Sequence, residues 1–286
     1  MTTPPSVGSD TPLGGLPAAE PVLHASHNLE LVVVEIRYTG ATGTFGSDDA
    51  LVLRDALLTA GVQVPTIEAV ANQEVAFQVG PDGPDAKIST RDVGWQLAAP
   101  DGSISAIVTG DVIRLQTTGY TRWSESLAAP LEIILAAAQP VLRPQLVARI
   151  GVRFINRFVN TDARSPRDWT GSIEAPFLGP VLDEMLAEKI TSTQQQLDIS
   201  LGAAQGAIVR HGGFVDAAER GAVSYLLDID MYNQAGVRAD PAVIMEEATR
   251  LDRTALTLFQ RVTTRELRAQ MRPYRREDRA TPEAQP

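Results

Sequence analysis

The sequence predicts an α+β fold made of two similar halves, 28–145 and 146–272, each with an antiparallel sheet covered by helices on one face. Short runs rich in β-branched residues alternate with turn residues and with amphipathic stretches of helical period. The order strand, helix, several strands, helix then starts a second time at Arg149, so each half reads β-α-β4-α. The halves share no clear identity residue by residue, so an internal duplication rests on element order alone.

The first half begins with a strand at 29–38, LELVVVEIRY, in which β-branched residues are dense. A helix follows, with Ser47 as its cap, acidic residues in its first turn and Gly61 as its stop. Apolar runs separated by turn residues predict four further strands, at 67–79, 94–98, 103–108 and 112–117. A helix at 124–138 closes this half, and Pro130 either starts its main body or kinks it.

The second half begins with a strand at 149–158, RIGVRFINRF. An amphipathic helix near 180–189 and three strands are predicted next, the strands at 195–201, 207–210 and 223–232. The last helix opens at Asp240-Pro241 and carries an apolar stripe as far as residue 271, with Phe259 as its core anchor. At 1.5 Å per residue this helix would be about 45 Å long. We therefore expect its distal end, 262–271 with Leu267, to project past the second sheet towards the first half or towards a partner chain. The element order resembles the duplicated topology of the TATA-binding protein, a likeness that implies no function.

Composition excludes several classes of function. The chain has 286 residues, no cysteine and a formal net charge of −10. Without thiols it forms no disulfide, thiolate nucleophile, zinc ribbon or iron–sulfur centre. A negative protein repels nucleic acid, which makes nucleic acid an unfavourable partner unless basic residues are gathered into one patch. No run approaches 18 uninterrupted apolar residues, so we expect no membrane span.

The two ends of the chain lack the periodicity of folded elements. Residues 1–27 are rich in Pro, Gly, Ser and Thr, which predicts a flexible arm that folding does not need. This arm has no basic stretch followed by an apolar core of the secretory kind, so we expect a cytoplasmic protein. Residues 273–286 predict a short charged tail.

Three stretches resemble one protein family: 149–158, LLDIDMY at 226–232, and the helix at 251–267. Together with Tyr120 and Trp123, they are similar to a sporadically distributed family of conserved hypothetical bacterial and phage proteins. The likeness covers about residues 28–272, and its motifs are strand and helix patterns. It implies an accessory bacterial or phage-borne protein without established chemistry. Family members often carry a histidine on the last helix where this chain reads Leu251-Asp-Arg, so no role of that histidine transfers.

A ladder of arginines at 149, 153 and 157 is the clearest charge pattern in the chain. As a strand, this stretch places Arg149, Arg153 and Arg157 on one face and mostly apolar residues on the other. The strand LLDIDMY carries Asp228 and Asp230 on its own polar face. We therefore predict cross-strand ion pairs, with Asp228 or Asp230 as the partner of Arg153. A site for an anion or an acidic partner, and a nucleic-acid site, are the alternatives.

A few single residues could carry chemistry. Asn156, the polar residue on the apolar face, predicts an amide satisfied by the backbone or, alternatively, a ligand contact. Trp169, in the loop SPRDWTGS, predicts an exposed partner anchor, whereas His211 beside two glycines predicts a loop residue. His24 and His27 have no third metal ligand near them in sequence, so no metal site is predicted. No phosphate loop, dinucleotide motif or nucleophile elbow occurs, so we expect no cofactor and assign no catalytic residue.

Three classes of function follow from these observations. The first is a non-catalytic protein-interaction module, which the family resemblance places in a bacterial defence, toxin–antitoxin or prophage cassette, with a protein or a second copy of the chain as its partner. The second is a small-ligand sensor or enzyme with a pocket between the halves. The third is a nucleic-acid binder or mimic. A large exposed apolar patch would favour the first class. The candidate ligand or partner residues are Arg149, Arg153, Arg157, Asn156, Trp169 and Leu267.

Overall fold

The computed structural model describes residues 12–20, 28–80 and 83–271, and their side chains except those of 72–92. The helices are α1 (Ser47–Thr59), α2 (Ala129–Leu142), α3 (Ala175–Leu178), α4 (Pro241–Val262) and α5 (Arg265–Gln270). The strands are β1 (Leu29–Thr39), β2 (Thr66–Gly80), β3 (Gly83–Ala98), β4 (Ile104–Thr109), β5 (Val112–Thr117), β6 (Leu146–Phe158), β7 (Gln195–Gly202), β8 (Gln205–Asp216), β9 (Ala222–Asn233) and β10 (Val237–Arg238). The fold is α+β with extensive antiparallel pairing, as the sequence predicts. The predicted tail, 273–286, lies outside the described residues.

The described chain divides into two compact units, and the boundary between them falls inside β6. The β1–β5 unit consists of Leu31–Val152 and Tyr232–Thr249. The β7–β9 unit consists of the described residues up to Glu30, Arg153–Met231, and the described residues from Arg250 on. Because β6 and α4 each contribute residues to both, the units are not consecutive halves of the sequence.

In the β1–β5 unit the strand order is β2-β3-β4-β5-β1-β6, and β10 pairs with β6. Each pair from β2 through β5 to β1 is antiparallel, and the register places Glu35 opposite Arg114. Alternate residues of β5 point inward, so Ile113 and Leu115 are buried while Arg114 faces outward. The alternation that predicted these strands therefore also sets which face carries charge.

The helix α2 supplies much of the core of the β1–β5 unit. Together with the π turn before it, the segment Ser124–Leu142 is long and apolar enough, by length and composition only, to cross a membrane. Leu131, Ile134 and Leu135 are nevertheless fully buried, and α2 packs against α1. The high hydropathy of this segment is what a core helix requires.

In the β7–β9 unit the strand order is β6-β9-β8-β7, and β7 pairs with β8 in the antiparallel sense. A chain of aromatic rings runs through this unit; three of the rings are buried, and Phe259, the predicted core anchor of the last helix, is half-buried. Phe158 contacts both Trp169 and Phe259, with ring centroids 6.3 Å apart in each pair. Trp169 in turn contacts Tyr225 at 5.7 Å. The β7–β9 unit thus has an aromatic core, in which Tyr225 is among the largest fully buried side chains.

The prediction of a single long C-terminal helix that runs to residue 271 is wrong. The helix α4 ends at Val262, and Thr264 caps a separate short helix, α5, by accepting a hydrogen bond from the backbone N–H of Leu267 at 3.2 Å. The hydroxyl of Thr264 also donates to the backbone carbonyl of Gly171 at 2.6 Å. Threonine hydroxyls offer the backbone such alternatives to a continuing helix. Leu267 is buried, so it does not project towards a partner.

The described part of the predicted N-terminal arm, 12–20, lies along α4. Leu13 is 4% exposed, and its backbone N–H donates to the hydroxyl of Thr254 at 3.1 Å. Glu20 exchanges two hydrogen bonds with the side chain of Gln260, at 2.9 and 2.8 Å. The prediction of an arm without packing therefore does not hold for 12–20; residues 1–11 and 21–27 lie outside the described residues.

Candidate functional site

The central arginine of the ladder forms the ion pair that the sequence predicts. Nε and Nη2 of Arg153 each lie 2.7 Å from the carboxylate of Asp228, on opposite oxygens. Arg210 reaches the same carboxylate at 3.4 Å and donates to the side chain of Gln196 at 3.1 Å. The side chain of Asp228 is 4% exposed, so two guanidiniums compensate one buried charge. The hydrogen bonds to Asp228 raise the pKa of Arg153.

The third arginine of the ladder is surrounded by acids. Arg157 lies 2.7 Å from Asp216, 3.0 Å from Glu219 and 3.3 Å from Glu30. Burial alone would raise the pKa of Asp216, but hydrogen bonds that include one from Arg157 hold it below its ordinary value. With three carboxylates around one guanidinium, this end of the ladder has no surplus of positive charge.

The first arginine belongs to a group that we call the Glu35 cluster: Glu35, Arg37, Arg114 and Arg149. One carboxylate oxygen of Glu35 lies 2.7 Å from Nε of Arg37 and 3.7 Å from Nη1 of Arg149. The other oxygen lies 3.0 Å from Nε and 2.5 Å from Nη2 of Arg114. Burial raises the pKa of Glu35, but the hydrogen bonds from Arg37 and Arg114 outweigh it and lower the pKa overall.

Gly151 makes room for Arg149 in the Glu35 cluster. The guanidinium of Arg149 lies across the position that a Cβ of residue 151 would occupy. A larger residue at this position would displace the guanidinium from Gly151. The sequence RIGVRF thus contains both Arg149 and the glycine, Gly151, whose missing side chain leaves room for the guanidinium.

Asn156 is 4% exposed, and its Nδ2 donates to the backbone carbonyl of Leu227 at 3.2 Å. This matches the prediction of an amide satisfied by the backbone. It gives Asn156 a role in joining β6 to β9 within the β7–β9 unit.

Trp169 and His211 are both buried, so their predicted positions in exposed loops are wrong. Trp169 is 2% exposed and donates from Nε1 to the backbone carbonyl of Val223 at 2.9 Å. Asp168 accepts hydrogen bonds from the backbone N–H groups of Arg164 and Ser165, which folds the loop so that the indole turns inward. His211 lies within β8, because that strand continues to Asp216 through the two glycines.

The buried imidazole of His211 has an apolar setting. Nδ1 lies 2.8 Å from the hydroxyl of Tyr225, and Phe177 meets the ring edge-on at 5.7 Å. Burial lowers the pKa of His211, and Nε2 has no hydrogen-bond partner among the described residues. A neutral imidazole fits this environment, since a second proton would place a charge in the core.

The prediction of an amphipathic helix near 180–189 is also wrong. Short 3₁₀ turns take its place, at Gly179–Leu182 and Ala187–Lys189. Between them Asp183 accepts hydrogen bonds from the backbone N–H groups of Met185 and Leu186, at 2.9 and 3.0 Å. A side chain that bonds the local backbone in this way competes with a helix.

This segment, residues 182–186, which we call the exposed turn, presents three large apolar side chains to solvent. Leu182 is 40% exposed, Met185 79% and Leu186 49%. Val181 and Ala187 on either side are buried and anchor the turn to the β7–β9 unit. Three neighbouring apolar side chains held in an ordered turn differ from the single exposed apolar residues that are common on surfaces.

An open cleft of about 400 Å³ lies in the β1–β5 unit at the end of α2. Its lining is Leu135, Ala136, Gln139, Pro140, Arg143, Pro144, Ala239 and Pro241. Arg143 is the charged residue of this lining, and Gln139 donates to the buried hydroxyl of Tyr38 at 3.0 Å. The lining contains no acid, histidine, serine or threonine that could act as a catalytic base or nucleophile.

In the part of the chain that the structure describes, no three His, Asp or Glu side chains are grouped to hold a metal ion. Sequence reasoning missed the exposed turn because its apolar residues, at 182, 185 and 186, fit one face of a helix. It also missed Arg37 and Arg114 as neighbours of Arg149. The alternation of β1 does put Arg37 on the outward face beside Glu35, and the alternation of β5 could have placed Arg114 there as well. Neither a protein-family model nor a curated protein sequence matches the chain.

Proposed function

We propose that the chain is a non-catalytic protein-binding module whose contact is the exposed turn. The observation that carries this proposal is the exposure of Met185 beside Leu182 and Leu186 in a turn fixed by its own hydrogen bonds. A backbone turn that is already held in place loses little conformational entropy on binding. Exposed apolar groups of this kind are typical centres of protein interfaces.

The charge around the exposed turn indicates a basic partner. Within 179–190 the acids are Asp183, Glu184 and Glu188, and the base is Lys189. Arg167 lies 3.2 Å from Glu188 and balances that carboxylate. An acidic rim around an apolar centre complements a partner that has a basic rim around an apolar pocket. The partner we propose is therefore a basic protein rather than a second copy of this acidic chain.

The other two classes of function have less support. Asn156 and His211 are each buried with a partner inside the β7–β9 unit, so neither faces a substrate there. Arg153 and Arg157 are paired with acids, which leaves no basic stripe along that part of the ladder for nucleic acid.

The duplicated, TATA-binding-protein-like topology remains part of the proposal. In each unit the first strand lies beside the last of the strands that follow it: β1 beside β5, and β6 beside β9. The order then runs back through β4, β3 and β2, or through β8 and β7. This shared order supports a duplication in which the second copy has one strand fewer. We further propose that the module acts in a defence, toxin–antitoxin or prophage cassette, which is the context that the family resemblance implies.

The proposal is tested by affinity purification from native lysate with the wild-type chain, Met185→Asp and Val52→Asp. Val52 is a matched control, because it is 66% exposed on α1 of the β1–β5 unit. We expect one basic protein to be retained by the wild type and by Val52→Asp and to be lost with Met185→Asp. The same difference must appear with the purified partner, with an affinity that falls as salt rises. Equal retention by all three chains would refute the proposal.

A further inference from the structure

We propose that α4 and β7 form a groove that binds a short Leu-Gly-Gly peptide of a partner protein, and that the segment 12–20 occupies this groove in the free protein. We call it the α4–β7 groove, and its residues are Leu201, Thr254, Thr257 and Gln260. These residues and the segment itself all belong to the β7–β9 unit. The groove is separate from the exposed turn and does not depend on the proposed function.

The segment 12–20 has one buried end. Pro12 and Leu13 are buried, and Leu13 is 4% exposed. Of the seven residues that follow, Leu16 and Ala19 are half-buried and the others are exposed. One buried apolar anchor followed by an exposed remainder is the arrangement of a short peptide docked on a surface, rather than that of an element that builds a core.

Two buried threonines of α4 bond the backbone of the segment. The hydroxyl of Thr254 donates to the carbonyl of Arg250 at 2.7 Å and accepts from the backbone N–H of Leu13 at 3.1 Å. The hydroxyl of Thr257 donates to the backbone carbonyl of Pro17 at 3.2 Å. Thr254 and Thr257 are 0% and 2% exposed. A hydroxyl can donate once and accept twice, so a threonine on a helix keeps capacity for a peptide laid over it.

Gln260, further along α4, repeats this mode of contact. Its side-chain amide accepts from the backbone N–H of Glu20 at 2.9 Å and donates to the backbone carbonyl of the same residue at 2.8 Å. Because Thr254, Thr257 and Gln260 are three residues apart, they share one face of the helix. Contacts with backbone atoms recognise the path of a peptide rather than its side chains, so α4 can hold a foreign chain that follows the same path.

Leu201 of β7 restricts which sequence can follow that path. Gly14 and Gly15 have φ angles of 66° and 68°, and the turn is closed by a hydrogen bond from the backbone N–H of Leu16 to the carbonyl of Leu13 at 3.3 Å. A Cβ at position 14 would lie 2.8 Å from Cδ2 and 3.2 Å from Cα of Leu201. Glycine alone combines this left-handed backbone with so close an approach. The groove therefore selects an aliphatic anchor followed by two glycines.

A partner peptide reaches the groove by competition with the segment 12–20. The segment is tethered to its own site, so its effective concentration there is on the order of millimolar. The apparent affinity for a second peptide is reduced by the fraction of molecules in which the groove is open. A substitution that releases the segment should therefore increase binding of a foreign peptide, which a segment that only completes the fold would not do.

The test is fluorescence anisotropy of a labelled peptide with the sequence of residues 12–20, PLGGLPAAE, titrated with the full chain. Leu13→Asp in the full chain should empty the groove and bind the peptide at least about tenfold more tightly than the wild type does. Adding Thr254→Val to Leu13→Asp removes a hydroxyl that bonds the peptide backbone and should weaken binding about tenfold. Gly14→Val in the peptide should abolish binding, whereas Ala18→Ser, at an exposed position, should leave it unchanged.

Three results would overturn this proposal. The first is a Leu13→Asp chain that is folded by circular dichroism but binds the peptide no more tightly than the wild type. The second is equal binding of the unchanged peptide and its Gly14→Val form. The third is a wild-type chain that is a dimer in light scattering and a monomer as Leu13→Asp, because the segment would then be exchanged between two copies. Gly14→Val in the full chain also releases the segment, and it takes the place of Leu13→Asp should that variant not fold.

Discussion

Replacement of Arg153 by alanine should destabilise the protein more than replacement of its partner Asp228. Arg153→Ala leaves the Asp228 carboxylate, whose side chain is 4% exposed, with Arg210 at 3.4 Å as a remaining ion-pair partner. Breaking a buried ion pair costs about 3–5 kcal/mol when the remaining charge has no partner. Since Arg210 stays and the Arg153 side chain is 43% exposed, we expect about 2–3 kcal/mol.

The opposite change leaves charges that water can reach. After Asp228→Ala the guanidiniums of Arg153 and Arg210, 43% and 33% exposed, can turn to solvent, so the cost should be about 1–2 kcal/mol. The double variant has no unpaired carboxylate at position 228. Its loss of stability should therefore be well below the sum of the losses in the two single variants. The coupling energy from the cycle should be about 1–2 kcal/mol, above the 0.2–1 kcal/mol of exposed pairs.

The assay is urea unfolding of the four proteins, with the coupling taken from midpoints at an unchanged denaturant slope. The pair Arg54 and Asp55 on α1 is the control cycle, because its carboxylate is 65% exposed and its coupling should be about 0.2–1 kcal/mol or less. A coupling for Arg153 and Asp228 no larger than that of the control would refute the reasoning from burial.

Three further predictions concern single residues. Burial lowers the pKa of His211 below its ordinary value of 6.5, so the folded state favours the neutral ring; melting temperature should fall as pH drops below about 6.5, and His211→Gln should flatten that dependence. If the melting temperature of His211→Gln depends on pH as steeply as that of the wild type, other groups cause the dependence. Leu13→Ala should lower the free energy of unfolding by about 2–3 kcal/mol in urea, because Leu13 is 4% exposed. A change near zero would instead support an arm that does not pack on the domain. Leu267→Asp should lower the melting temperature of the monomer by placing a carboxylate in the core, and an unaffected melting temperature would contradict its burial.

Much of the sheet follows from local pattern. Apolar and polar residues alternate in β1, β5 and β6, which separates a buried face from a charged one. Because the side-chain period of a strand is two, the pattern fixes the face on which each residue lies. The pair of Arg153 with Asp228 follows as well, because both lie on outward faces of neighbouring strands. The amide of Asn156 needed a partner on the buried face and found one in the backbone.

The errors fall where a side chain bonds to the local backbone or to a distant element. Asp183 breaks a helical pattern by bonding the backbone N–H groups that follow it, and Thr264 does so at the end of α4. Trp169 turns inward because the carbonyl of Val223, 54 residues away, accepts its indole N–H. Such contacts depend on tertiary structure, which periodicity does not report. The packing of Leu13 escapes the sequence pattern for the same reason, since α4 supplies the hydrogen-bond partner that the segment 12–20 lacks on its own.

The proposal of a protein-binding module is tested most directly by site-specific photocrosslinking in the native cell. A benzophenone side chain replaces Met185 in one chain and Val52 in another, and irradiated cells are searched for covalent adducts. The proposal predicts one defined adduct with a basic protein at position 185 and none at position 52. No adduct at 185, the same adducts at both positions, or an adduct with a second copy of the chain would contradict it.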